Sequence, residues 1–154
     1  CKKQAPEIKE LPMKRFALAT LGYFVATMIV AVTWHLGLFH EKYVAMGALT
    51  REAPIMPLGM LAVFVQAIVF AYIYPIYYRH RGGGAPIRVG IQCSLLLGVL
   101  VWTVMVFATA AKFVIEPVID FLVLGTVFQV IQYVAVGAVI GAIYGTSPLR
   151  SARG

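Results

Sequence analysis

Apolar residues gather into four long runs, roughly Phe16 to Phe39, Met56 to Tyr78, Val89 to Ala111 and Val118 to Tyr144, with short polar stretches between them. Each run meets the ~20 residues that a helix needs to cross a hydrocarbon core of about 30 Å. The pattern predicts an all-α, polytopic four-transmembrane-helix bundle over residues 16–144, with tails at 1–15 and 145–154. Proline marks the boundaries: Pro54 and Pro57 flank the start of the second run, Pro86 precedes the third, and Pro117 suits the first turn of the fourth. The longest connection, HEKYVAMGALTREAPI at 40–55, joins the first two runs.

A composition of 61% hydrophobic and 12% charged residues leaves too little polar surface to coat a water-soluble domain. Charge then orients the bundle. Lys2, Lys3, Lys9, Lys14, Arg15, Arg79, Arg81, Arg88, Arg150 and Arg153 fall on one side with Glu7 and Glu10, a balance of +8. Lys42, Arg51 and Lys112 fall on the other with Glu41, Glu52, Glu116 and Asp120, a balance of −1. The positive-inside rule therefore expects both termini and the Arg79 to Arg88 loop in the cytoplasm, N-in and C-in. Anionic lipid headgroups account for Arg79, Arg81 and Arg88, and no nucleic-acid partner is expected. Tyr72, Tyr74, Tyr77 and Tyr78 read as an interfacial belt at that end, and Trp34 as an anchor at the opposite interface.

Several chemistries lack their residues. Cys1 and Cys93 form no CxxC pair for disulfide exchange, and no HExxH, GxSxG or phosphate-loop motif occurs. Gly82, Gly83 and Gly84 read as a flexible turn. His35 and His40 belong to one end and His80 to the other, which does not suit a haem held by two histidines. No cofactor is expected. Cys1 stands where a chain normally opens on Met, so the sequence reads as processed, truncated or joined to another, and Met13 could be an internal start.

Three groups of residues remain as candidates. Gln66, Gln129 and Gln132 are the buried polar side chains, read first as interhelical hydrogen bonds and alternatively as the lining of a solute path. Gly137, Gly141 and Gly145 repeat every four residues and predict a helix-packing stripe, within the subunit or against a partner. At the periplasmic end, His35, His40, Glu41 and Glu116, with Met46, Met56, Met60 and Met105 nearby, offer candidates for a copper or zinc site. The competing reading is a charge network led by Lys112 and Glu116 at i, i+4 spacing.

Offsets of 68 residues relate Gly22, Trp34 and Phe39 to Gly90, Trp102 and Phe107, and offsets of 66 relate Leu58, Gly59 and Gln66 to Leu124, Gly125 and Gln132. Two duplicated helical hairpins would produce this pattern. So would chance matching between apolar sequences.

The stretches WHLGLFHEKY at 34–43, REAPIMPLGML at 51–61, AYIYPIYYR at 71–79, and AAK at 110–112 with FQVIQYVAVGAVIGAIY at 128–144 resemble small uncharacterised bacterial four-helix inner-membrane proteins. That resemblance implies a multi-pass protein of the bacterial inner membrane and transfers no catalytic residue. The expected function is a non-catalytic accessory or structural subunit of a larger membrane complex, bound to other membrane subunits or to copies of itself. A small oligomeric transporter or channel is the alternative, and a periplasmic-face metal-dependent or metal-handling protein the third reading.

Overall fold

The computed structural model describes residues 13–51 and 53–145. Four helices long and apolar enough to cross a membrane make up most of it: Met13–Leu38, Met56–His80, Pro86–Lys112 and Val118–Gly145, hereafter the first to fourth spans. The chain is an integral, multi-pass membrane protein built as an all-α bundle. Helices are the expected solution, because within a bilayer each backbone N–H and C=O must find its partner inside the segment.

The spans run slightly longer than the apolar runs because charged and polar residues extend the helical ends into the interface. Pro86 is the first residue of the third span rather than the residue before it, a position where its missing N–H leaves no bond unmade. Pro117, joined to Glu116 by a cis peptide bond, sits just before the fourth span, and its carbonyl accepts the Phe121 N–H at 3.4 Å. The connection after the first span folds a short helix, His40–Ala45, that its polar composition did not announce. Tyr43 and Met46 are buried beneath it, and the Met46 carbonyl accepts the Glu116 N–H at 3.0 Å, tying this connection to the one between the third and fourth spans.

Both the first and third spans relax into a π-helical turn near their C-terminal ends, Thr33–Leu38 and Thr103–Ala108. A π turn brings residues five apart onto one face. Trp34 thereby meets Phe39 at 4.4 Å between ring centroids, and Trp102 meets Phe107 at 4.7 Å. The duplicated Trp and Phe spacing thus corresponds to a duplicated local geometry. Wider packing does not follow suit: a Cβ on Gly59 would meet open space, whereas one on Gly125 would lie 3.0 Å from Val106.

The fourth span is the most enclosed and packs along both the first and the third. Its contact with the third depends on glycine. A Cβ on Gly137 would lie 2.7 Å from the Gly90 carbonyl oxygen and from the Ile91 Cα, and one on Gly141 would lie 2.5 Å from the Pro86 oxygen. A Cβ on Gly90 would strike the Gly137 carbonyl oxygen in return. The predicted stripe is therefore occupied within the subunit, with Gly137 and Gly141 backbone against backbone, Gly145 against the Pro86 ring, and Gly90 as its unforeseen counterpart.

Candidate functional site

Polar side chains inside the bundle gather around Tyr23, which is fully buried on the first span. Its hydroxyl donates to Gln66 Oε1 of the second span at 3.3 Å and has Thr27, Gln132 and Tyr133 as its nearest polar neighbours. Gln66 and Gln132, picked out by sequence on two different helices, are thus brought to one phenol. Gln129 is not. It lies a turn away, at a cleft of about 250 Å³ between the third and fourth spans. Among the described residues, four buried polar atoms have no hydrogen-bond partner: Thr27 Oγ1, Ser94 Oγ, Gln129 Oε1 and the Tyr133 hydroxyl.

Nearer the end that carries Arg79, Arg81 and Arg88, tyrosines tie the helices where proline has disturbed them. Pro75 interrupts the second span, and without its N–H the Ala71 carbonyl loses its ordinary helical donor. The Tyr144 hydroxyl, on the fourth span, donates to that carbonyl at 2.9 Å. Tyr74 donates to the Pro86 carbonyl at 3.0 Å and Tyr78 to that of Gly84 at 2.9 Å. Tyr74 is therefore a buried tie and not part of an interfacial belt, while Tyr72 remains exposed. Arg79, Arg81 and Arg88 are all exposed at this end. Arg81 is held by Gln92 and by the Tyr77 hydroxyl, and Arg79 by the Pro75 carbonyl.

At the opposite end, Trp34 is buried and its indole N–H donates to the Tyr43 hydroxyl at 3.2 Å, so it is a core residue and not an exposed anchor. Burial pushes the Tyr43 phenol above its ordinary pKa, and the Trp34 bond offsets part of that rise. His35 packs between the rings of Tyr43 and Phe128 at 4.8 and 4.5 Å. His40, Glu41 and Glu116 are exposed, and Glu52 lies outside the described residues. Among the described residues no three His, Cys, Asp or Glu side chains group as a metal site requires. Met46 is buried in an apolar cluster, and Met56, Met60 and Met105 are exposed. Lys112 and Glu116 do not share a helix either, since the third span ends at Lys112 and Phe113 turns extended. Cys93 is buried and free.

Sequence reasoning missed Tyr23, Thr27, Tyr133 and Tyr144 as core polar groups. The signal was present for Tyr144, because a proline inside an apolar run announces an orphaned carbonyl four residues earlier that some donor must meet. Compared with protein-family profiles, curated proteins and solved structures, the chain matches none of them.

Proposed function

We propose that this protein is a non-catalytic accessory or structural subunit of a larger assembly in the bacterial inner membrane, oriented N-in and C-in. One observation carries the reading: its intramembrane polar side chains are spent mainly on tying its own helices together. Half-buried Gln66 and buried Gln132 meet at Tyr23, Tyr144 replaces the donor that Pro75 lacks, and Trp102 donates to Thr126 at 3.0 Å between the third and fourth spans. Each such tie contributes on the order of 0.6 to 1.7 kcal/mol. A solute path would need these groups turned toward a lumen, and Gln132 is only 6% exposed. The basic end supports the orientation, with Arg79, Arg81 and Arg88 presented where anionic headgroups would lie. The bacterial setting rests on the sequence resemblance.

Because the glycine stripe is consumed internally, a partner would bind another face. Extraction in a mild detergent, a native gel and mass analysis of the band test the reading. Stoichiometric migration with other membrane subunits is expected. A lone monomer active in solute flux after reconstitution would overturn it.

A further inference from the structure

We propose that Arg81 and Arg88 together hold the phosphate of one anionic phospholipid against the start of the third span. The inference rests on the headgroup reading of this basic end, but on neither the orientation nor the subunit role. The two arginines flank the turn between the second and third spans and converge on one face. Arg81 reaches across the turn, where its guanidinium donates to Gln92 Oε1 and, at 3.2 Å, to the Tyr77 hydroxyl. Arg88 stands four residues before Gln92 on the same helix, a spacing that makes the two side chains neighbours. Arg81 is thereby pinned to the face that carries Arg88.

Cations gathered in this way call for an anion. Like charges repel, and Arg88 occupies the first turn of its helix, where the aligned backbone dipoles also disfavour a positive charge. No acid compensates them: those among the described residues are Glu41, Glu116 and Asp120, all at the other end of the bundle. Gln92 and Tyr77 hold Arg81 as neutral acceptors and leave its charge unbalanced. A phosphate ester suits the pair, because guanidinium groups bind phosphate oxygens through paired, charge-assisted hydrogen bonds. The surface beyond Gln92 selects a lipid over free phosphate. Leu96 and Val99, 60% and 51% exposed, continue the same face into the membrane, an apolar track for an acyl chain below a charged head. A headgroup with its own ammonium fits poorly, since both arginines repel it. Arg79 stands apart, its Nε–H given to the Pro75 carbonyl of its own helix at 3.3 Å.

The test uses the full chain in nanodiscs with the same lipid mixture in both leaflets, and native mass spectrometry counts the lipid retained on release. Phosphatidylglycerol is the anionic probe, phosphatidylcholine of equal chain length the zwitterionic one, and inorganic phosphate the soluble one. We expect one phosphatidylglycerol per chain, preferred roughly tenfold over phosphatidylcholine, as one charge-assisted contact predicts. Millimolar phosphate should not displace it. Arg81→Gln and Arg88→Gln should each reduce the preference about five- to tenfold, while Arg79→Gln, the same loss of charge at the same end, should change it less than about twofold. Gln92→Glu, which gives Arg81 an anion inside the chain, should cost as much as Arg81→Gln with every arginine in place. All four substitutions fall at exposed or half-buried positions. Equal retention of the two lipids, equal losses from the three arginine changes, or full preference in Gln92→Glu would each overturn the proposal. So would displacement by phosphate, in favour of a soluble anion. None of these readouts needs a partner subunit, so this inference and the subunit reading fail separately.

Discussion

The hydrogen bond from Tyr144 to the Ala71 carbonyl gives the sharpest energetic test of this fold, because its cause is a second residue that can be changed separately. Tyr144→Phe keeps the ring, which packs 5.2 Å from Tyr74, and removes only the hydroxyl. The Ala71 carbonyl then loses both donors, the helical one to Pro75 and the interhelical one to the substitution. A buried unmade bond costs about 1 to 3 kcal/mol, and interhelical bonds in membranes reach ~1.7 at most, so a loss of about 1.5 kcal/mol is expected, roughly tenfold in the folding equilibrium. Pro75→Ala restores an N–H four residues after Ala71. In that background Tyr144→Phe should cost about 0.5 kcal/mol, giving a coupling near 1 kcal/mol between residues on different helices. Reversible unfolding in mixed micelles with rising dodecyl sulfate, followed by tryptophan fluorescence, measures all four corners of the cycle. Equal losses in the two backgrounds, within about 0.3 kcal/mol, would refute the account of Pro75 as the origin of the bond.

Other outcomes follow from the same structure. Gly137→Ala should destabilise the bundle by about 1 to 3 kcal/mol, since its methyl would meet the Gly90 carbonyl and Ile91 Cα at 2.7 Å; Gly59→Ala, which meets open space, should be neutral or slightly stabilising in the same unfolding assay. Cysteines introduced at Ala48 and Gly83 should label from outside intact cells at Ala48 only, and the reverse pattern would invert the topology. Burial holds the Tyr43 phenol above its ordinary pKa of 10.0, so the group favours the folded state fully below pH 10 and loses that contribution as pH climbs through the folded pKa. Tyr43→Phe should therefore flatten the alkaline loss of stability, as read by thermal unfolding between pH 8 and about 11.

Span number and approximate limits were legible because they depend on a summed property, the apolar length, which tolerates many local errors. The ends shifted by at most three residues because Lys14, Arg79 and Lys112 tolerate helical geometry at the interface while failing any hydrophobic criterion. The short helix at His40–Ala45 was illegible for another reason. Its order comes from Tyr43 and Met46 packing against the connection between the third and fourth spans, a tertiary contact with Ile115 and Phe121 that no local pattern encodes. Spacing alone made Lys112 and Glu116 look like a helical pair, and the pairing failed because the helix stops between them.

The candidate site shows the same limit at finer scale. Gln129 and Gln132 are three residues apart and both buried, so a helical wheel puts them on one face. Their neighbours nonetheless separate them, because a rotation of about 60° on the wheel is enough to aim one at the first span and the other at the groove beside the third. Gln132 meets Tyr23, a partner on another helix that no spacing rule names, and is spent on holding the bundle. Gln129 meets a groove whose depth is set by a glycine, and its acceptor is left over. In lipid the identity of a polar residue states a need, and only the opposing helix decides whether the need is met.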